Sequence, residues 1–338
     1  MEPPFLLVDL DDPAPRPARD MPCVRVAVAA QPTEAAGEFD LLLTASPDPP
    51  RPWVGCADPF ATAWRLREIV TARPDACLAL VQVLRLSPGL TPPDQLVVES
   101  LAYSALQAGT AFRSWLAERH PHTSRPSADP VVLDRYGDRL TITLNRPRVH
   151  NAFDAATRDA LCEALEVAAS DPTVTRVDLS GNGPSFCSGG DLTEFGTSPD
   201  PARAHRVRVA RSPAALLQRC GTKVTAHLHG ACVGAGIELA AFAGRVTAAP
   251  DAVFRLPEIS MGLIPGAGGT ASLPTRIGRE RTAYLAMTGA ALSATEALRW
   301  GLADDIVTGC ADPCGAPVPP GYEKQILDIE TSIDAASH

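Results

Sequence analysis

Residues 229–239 (His-Gly-Ala-Cys-Val-Gly-Ala-Gly-Ile-Glu-Leu) place a backbone donor and an acidic side chain within one turn of chain. Small residues run up to Gly236 and an apolar helical pattern follows, which predicts a loop that turns into the start of a helix. The first N–H groups of a helix have no partner inside it and attract negative charge. Glu238 lies three residues after Ala235, and helical side chains lean back toward the helix start. An oxygen bound by the Ala235 N–H would therefore lie beside the Glu238 carboxylate.

Taken alone, this stretch is also compatible with a tight loop that carries a solvated glutamate. A second Gly-rich segment, residues 180–192, follows a predicted strand, where backbone N–H groups are free to bind an oxygen. Its alternative interpretation is an ordinary turn. A third Gly-rich segment covers residues 261–270.

Composition and charge restrict the class of protein. The chain has 338 residues, of which 45% are hydrophobic and 20% charged, as expected for one large or two medium globular domains. Its net charge of −9 argues against a nucleic-acid partner, because no basic stripe could neutralise phosphates. The longest apolar runs are too short to span a membrane. The opening Met-Glu-Pro-Pro does not resemble a secretory signal, so we expect a cytoplasmic protein.

The residues that could bind a metal are scattered. The nine cysteines form no Cys-x-x-Cys pair, which indicates neither a zinc site nor a disulfide framework. His120 and His122 lie in a polar, proline-marked segment without a further ligand nearby, so an inert role fits them better than metal binding. The sequence therefore indicates no metal site.

Proline-rich stretches divide the chain. The 33 prolines concentrate in residues 1–57, 121–130 and 311–320. Between and beyond them the periodicity changes from helical to alternating strands and helices, which indicates an α/β core. The predicted organisation is an irregular N-terminal segment with short strands (1–57), a helical segment (58–119), a linker (120–130), an α/β core (131–307) and a C-terminal tail (308–338).

Local patterns predict the individual elements. The predicted strands cover 24–30, 39–45, 131–133, 140–144, 174–179, 223–229, 245–248 and 253–255. The predicted helices outside the Gly-rich segments begin at Asp58, 75, 91, 154, 203, 278 and 293. The helical stretch from 203 extends to 219, Thr110 is predicted to cap a further short helix, and another short helix is predicted near 322–329.

Five pieces of the core occur together in one order. They are Asn145-Arg146-Pro147 with Asn151-Ala152-Phe153; residues 186–192; residues 229–239; Pro257-Glu258 with residues 262–270; and residues 288–302. On these pieces, residues 131–307 resemble the enoyl-CoA hydratase/isomerase (crotonase) superfamily. One Gly-rich loop would be weak evidence, whereas five ordered pieces are specific.

The resemblance implies an α/β fold, a crotonase-like spiral of stacked ββα units with an all-helical lid and oligomerisation segment. It implies an acyl-CoA thioester as the substrate, held by the backbone N–H groups of Gly190 and Ala235. It implies reversible addition of water to the 2,3 double bond by two glutamates, Glu238 and Glu258. The alternatives are a double-bond isomerase and a non-catalytic acyl-CoA-binding or scaffold protein. No cofactor is implied beyond the coenzyme A of the substrate, and a homotrimer or hexamer is expected.

Matching motif to motif extends the site to substrate-binding positions. These are Arg146, Ala152, Ser188, Asp191, Leu192, Gly234, Pro265 and Gly266. Two positions depart from the family pattern. Ala235 replaces the middle residue of the usual triple glycine, and Thr193 replaces a lysine that is common after the Gly-x-Asp loop.

The order of the segments departs as well. The family normally places its helical trimerisation and lid segment after the core, whereas here residues 58–119, especially 99–103 and 112–119, look like that segment placed before it. We therefore predict a permuted arrangement. A structure in which residues 58–119 pack away from the mouth of the active site would refute it.

Overall fold

The computed structural model describes residues 4–12, 22–34, 38–119, 127–198 and 200–308. Within these ranges the strands are β1 Phe5–Asp9, β2 Val24–Ala29, β3 Leu41–Thr44, β4 Val54–Gly55, β5 Val131–Tyr136, β6 Arg139–Leu144, β7 Arg176–Gly181, β8 Val224–Leu228, β9 Ala231–Val233, β10 Arg245–Ala248, β11 Val253–Arg255, β12 Leu292–Ser293 and β13 Asp305–Ile306.

The α-helices fall in two groups, before and within the core. They are α1 Pro59–Ala72, α2 Pro74–Leu86, α3 Pro92–Gln107, α4 Thr110–Glu118, α5 Ala155–Ser170, α6 Pro201–Ala210, α7 Pro213–Cys220, α8 Ala235–Ala240, α9 Gly269–Ile277, α10 Arg279–Thr288 and α11 Ala294–Trp300. Short 3₁₀ turns cover Ser87–Gly89, Pro147–Val149, Leu192–Glu194, Gly221–Lys223 and Glu258–Met261. No described helix is long and apolar enough to cross a membrane.

Two sheets build the core. The larger has the order β13-β10-β8-β7-β6-β5 and is parallel except for the β5–β6 hairpin. Buried and half-buried residues alternate along β6 and β8, as expected when the two faces of a strand have different surroundings. The smaller sheet has the order β12-β11-β9, and β9 leads directly into α8. The mainly parallel sheet with helices between its strands confirms the predicted α/β fold class.

The N-terminal region is more regular than predicted. Strands β1 to β4 form one parallel sheet in sequence order, and every residue of β3 is buried. The isolated predicted strands at 24–30 and 39–45 are its two central members. The β1 strand was not predicted, because its five residues carry no alternation and are all half-buried.

Most helix starts follow the predicted capping chemistry. The Asp58 carboxylate accepts a hydrogen bond from the Ala61 N–H at 2.9 Å, and Pro59 occupies the first helical position. The prediction that Thr110 caps α4 is wrong, because Gly109 is the N-cap and Thr110 is already helical.

The predicted single helix from 203 to 219 is in fact α6 and α7. Pro213 lacks an N–H, and the Ser212 hydroxyl accepts a hydrogen bond from the Ala215 N–H at 3.1 Å, so a new helix starts there. Helix α9 was not predicted, because it begins at Gly269, within a Gly-rich segment that carries no helix-start signal. His120, His122 and the predicted helix near 322–329 lie outside the described residues.

Helices α3 and α4 pack on the core. Helix α3 contacts α6 and α9, and α4 contacts the 3₁₀ turn that begins at Glu258. A Cβ built on Gly266 would lie 2.4 Å from the Tyr103 ring, so glycine allows that ring to approach the loop. Phe112 stacks on Trp115 at 5.8 Å between ring centroids, and both contact Phe195 of the core. This aromatic cluster fixes the upstream helices over the loops described next.

Candidate active site

A cavity of about 430 Å³ lies between the core and the upstream helices. Its core side includes Gly190, Ala235, Glu238 and Glu258. Its other walls come from α3 and α6, together with the start of α7. The cavity therefore joins segments that lie more than one hundred residues apart in the sequence.

Glu238 lies on the first turn of α8, as its sequence predicts. Gly234 precedes the helix with a φ of +49°, a conformation that side chains disfavour, and this turn aims α8 away from β9. The Glu238 side chain is buried. Its Oε2 accepts hydrogen bonds from the N–H groups of Ala267 and Gly269 at 2.7 and 2.9 Å. The loop before α9 thus orients this carboxylate.

Glu258 opens the 3₁₀ turn after β11 and approaches Glu238 across Gly234. A Cβ built on Gly234 would lie 2.6 Å from Glu258 Oε1 and 3.9 Å from Glu238 Oε1, so the two carboxyl groups share the space over that glycine. Glu258 Oε2 is buried and has no hydrogen-bond partner in the described part of the chain. One carboxyl group is therefore bound by amides, whereas the other has a buried oxygen left for a proton or a ligand.

Burial governs the protonation of this pair. It raises the pKa of Glu238 well above its ordinary value, and the neighbouring charges of Glu258 and Glu99 act in the same direction. Burial also raises the pKa of Glu258, to about 8, with a further contribution from the Glu99 charge. Two close carboxyl groups in a low dielectric cannot both ionise readily, so the pair holds a proton near neutral pH. A proton donor and a proton acceptor are then available together.

Two backbone amides face the same cavity. Gly190 and Ala235 both line it, and among the described residues neither N–H group donates a hydrogen bond. The Ala235 N–H is the first of α8, where no helical partner exists. A Cβ on Gly190 would lie 2.8 Å from the Phe195 ring, so only glycine fits there. This is the donor pair that an anionic oxygen needs.

The predicted substrate-binding positions separate into two sets. Asp191 and Gly266 line the cavity. The remaining positions do not belong to its lining: Arg146, Ala152, Ser188, Leu192, Gly234 and Pro265. Gly234 still acts at the site, since it provides the space between the two glutamates.

The Arg146 side chain forms ion pairs inside the protein and does not line the cavity. It is 4% exposed, and its Nη2 pairs with Asp191 at 2.9 Å and with Asp154 at 3.1 Å. Its other terminal nitrogen donates to the Ala152 carbonyl. Burial opposes ionisation of Asp191, but hydrogen bonds from Thr193 and Arg146 keep its pKa below the ordinary value. Arg146 thus holds the loop that carries Gly190.

Several cavity residues were not predicted as site residues. Tyr103, Glu99 and Arg208 line the cavity from α3 and α6. Helix α3 offered one signal in its sequence: Glu99 and Ser100 follow two valines, and the structure buries both polar residues. Buried charged residues are rare without partners, so a glutamate in such a position indicates a polar neighbour. Only the fold identifies that neighbour.

No group of three or more potential metal ligands occurs among the residues that the structure describes.

Comparison with known proteins identifies a family that matches the core residues around this cavity. The sequence profile described as "Enoyl-CoA hydratase/isomerase" matches residues 137–311. The 2,3-dehydroadipyl-CoA hydratase of Escherichia coli is 34% identical over 176 residues, which are 52% of this chain and 68% of that protein. The 1,2-epoxyphenylacetyl-CoA isomerase of the same organism is 36% identical over 172 residues, covering 50% of this chain and 66% of that protein.

A solved structure extends further along the chain. The crystal structure of an enoyl-CoA hydratase/carnithine racemase from Magnetospirillum magneticum matches with a TM-score of 0.50 at 25% identity, covering 62% of this chain and 76% of that one. The chain spans about two thirds of the length of the two Escherichia coli relatives. The profile, the two relatives and this structure all point to one protein family, and together they confirm the predicted crotonase-like α/β fold.

Proposed function

The chain belongs to the enoyl-CoA hydratase/isomerase family, and from this premise we propose that it is an enoyl-CoA hydratase. It would add water reversibly to the 2,3 double bond of an acyl-CoA thioester. One observation carries the proposal: two buried glutamates meet over Gly234 beside two amides that have no hydrogen-bond partner among the described residues. Family hydratases require two acidic groups, and this chain has both in one cavity.

The amides would bind the thioester oxygen. The N–H groups of Gly190 and Ala235 stabilise the charge that develops on this oxygen as C3 is attacked and an enolate forms. Such donors contribute most when they are fixed in place before the reaction. The ion pairs of Arg146 hold the Gly190 loop, and Gly234 fixes the start of α8.

The glutamates would move the protons. In the hydration direction the water oxygen forms a bond to C3 while one carboxylate takes a proton from that water. A carboxylic acid then gives a proton to C2, which restores the thioester. The two amide donors on Glu238 favour its ionised form, and Glu258 Oε2 has no donor. Burial nevertheless raises the pKa of both groups, so the pair titrates as a unit and supplies one base and one acid.

A double-bond isomerase is the second candidate. The relative at 36% identity, 1,2-epoxyphenylacetyl-CoA isomerase, carries out an isomerisation and not a hydration, although its named substrate is an epoxide. An isomerase would need one glutamate to carry a proton between two carbons, and no water would be added. A non-catalytic acyl-CoA-binding protein is the third, and the buried, unpaired oxygen of Glu258 speaks against it.

The upstream helices would act as the lid of this site. Helices α3 and α4 contact α6, α9 and the turn that begins at Glu258, so residues 58–119 do not pack away from the cavity. This packing supports the proposed permuted arrangement. By the same family resemblance we propose a homotrimer or hexamer, which light scattering of the purified protein would measure.

A panel of short, long and aromatic 2-enoyl-CoA thioesters tests the reaction. Loss of the conjugated chromophore reports hydration, and Glu238→Gln and Glu258→Gln should each lower kcat by about 100-fold or more. Glu280→Gln is the matched control, because Glu280 is also buried but pairs with Arg279 on α10, outside the cavity. Activity that persists in Glu258→Gln would favour the isomerase. No turnover of any member by the wild type would contradict the proposal.

A further inference from the structure

A third carboxylate reaches the site from the upstream segment. Glu99 lies on α3 and is 2% exposed. Its Oε1 accepts a hydrogen bond from the Gly268 N–H at 2.7 Å. Its Oε2 accepts from the Thr270 N–H at 2.8 Å and from the Thr270 hydroxyl at 2.7 Å. This helix therefore binds the start of α9 through a fully engaged carboxylate.

The same loop holds Glu238. Four consecutive amides alternate between the two side chains: those of Ala267 and Gly269 donate to Glu238, and those of Gly268 and Thr270 donate to Glu99. Consecutive N–H groups at this loop point in opposite directions, so one carboxylate cannot use them all. Moving the loop to lengthen one set of bonds would disturb the other. Glu99 and Glu238 are thus mechanically coupled through one short segment of backbone.

We propose that Glu99 is a positioning residue for the reaction: it fixes residues 267–270 so that they orient Glu238, and its charge helps to set the protonation of the Glu238–Glu258 pair. This inference rests on the proposed function for its kinetic consequences. It does not need Glu99 to touch the substrate. It also gives the upstream helices a role in the chemistry beyond forming a wall.

The charged and titratable groups around Glu99 come from four elements. Glu238 faces it from α8, Glu258 from the 3₁₀ turn, Tyr103 from α3 and Arg208 from α6. The pKa of Glu99 is raised to about 7 by burial, against which the hydrogen bonds from Thr270 and Gly268 and the charge of Arg208 act.

Arg208 is the only one of these four groups that carries positive charge. It lies 4.8 Å over the Tyr103 ring and donates to Ser100, Ser104 and Gln107, all of which are neutral. It therefore compensates the Glu99 charge only through space.

The sign of the electrostatic effect follows from these groups. An ionised Glu99 raises the pKa of both Glu238 and Glu258, because a like charge disfavours their charged forms. Removing that charge should let the required acid lose its proton at lower pH. In the plot of kcat against pH, the decline on the alkaline side (the alkaline limb) should then occur about one pH unit lower.

Two substitutions separate charge from packing. Glu99→Gln removes the charge and keeps the size, whereas Glu99→Asp keeps the charge and shortens the reach. Ser104→Ala is the matched control on α3, because it removes contacts to Pro201 and Arg208 but none to residues 267–270. We expect the alkaline limb to shift in Glu99→Gln alone. In that variant kcat should fall by about tenfold with KM within about twofold, since the loop orients Glu238.

The inference is overturned if the limb stays in place in Glu99→Gln, or if Glu99→Asp and Ser104→Ala shift it equally. An infrared pH titration of ¹³C-glutamate-labelled protein provides a readout that needs no turnover. The midpoint of the remaining buried carboxyl groups should fall in Glu99→Gln and stay in Glu99→Asp. If the wild type turns over no enoyl-CoA, the proposed hydratase fails, but this titration still decides the role of Glu99. Should Glu99→Gln not fold, an unchanged midpoint in a folded Glu99→Asp supports the inference, and a lowered one rejects it.

Discussion

The core and the upstream helices contribute to one cavity in different ways. The core provides the proposed reacting groups on short segments that begin or end at glycines, such as Gly234 before Glu238. The upstream helix α3 provides a wall whose buried residues include Glu99, Ser100 and Ser104. The family profile begins at residue 137, so it covers the first region and leaves out the second. Recognisable chemistry therefore lies in the core, while the upstream helices close the site and hold its loops in position.

This difference predicts that core substitutions abolish turnover, whereas upstream substitutions lower the free energy of unfolding or shift the pH dependence of kcat. Ala235→Pro would remove one N–H at the first position of α8, where proline is tolerated in a helix. We expect kcat to fall by about 100- to 1000-fold, as for the loss of one oxyanion donor. Ala235→Gly keeps the N–H and is the control. Equal activity of the proline and glycine variants would show that this amide does not hold the thioester.

Substitutions in the upstream helices should lower mainly the free energy of unfolding. Phe112 is 2% exposed and stacks on Trp115 against Phe195. Phe112→Ala should cost about 3 kcal/mol of unfolding free energy, because a large buried ring leaves a cavity. Denaturant titration measures this, and Leu101→Ala, at an exposed position of α3, is the control. A loss below about 1 kcal/mol would mean that the aromatic cluster does not fix the upstream helices.

The contact between the two regions can be tested at Gly266. A Cβ there would overlap the Tyr103 ring, so Gly266→Ala should destabilise the protein by about 1–3 kcal/mol. Tyr103→Ala in the same chain should relieve part of this cost. A double-mutant cycle of unfolding free energies therefore measures the coupling. Purely additive effects would contradict the packing of α3 on this loop.

The smallest effect is on the free energy of unfolding, which falls as the buried carboxyl group of Glu258 ionises. Burial raises the pKa of Glu258 from 4.5 to about 8, so the stability linked to its protonated form is present below pH 4.5 and lost as pH rises through 8. Glutamine mimics the protonated form at every pH. Glu258→Gln should match the wild type near pH 4 and exceed its stability by about 1 kcal/mol at pH 5. Thermal melts of both proteins at both pH values measure this difference. An equal difference between wild type and variant at the two pH values would mean that the pKa of Glu258 is ordinary.

Much of the core could be predicted from local sequence, because its segments carry their own signals. Strand alternation and the Gly-rich turn before Glu238 each depend on residues close in the chain. Tyr103 and Glu99 could not be predicted as cavity residues, because their partners lie more than 160 residues away at positions 266–270. Arg146 shows the opposite limit. The motif predicts it as a substrate-binding residue, but the fold pairs it with two aspartates.

One measurement tests the central claim, that the two glutamates add water to a thioester held by two amides. The wild-type protein is incubated with a 2-enoyl-CoA in ¹⁸O-labelled and in deuterated water, and the products are examined by mass spectrometry. The account predicts a 3-hydroxyacyl-CoA that carries one solvent oxygen at C3 and one solvent hydrogen at C2, absent with Glu238→Gln and retained with Glu280→Gln. A shifted double bond without solvent oxygen, or an unchanged thioester, would contradict it.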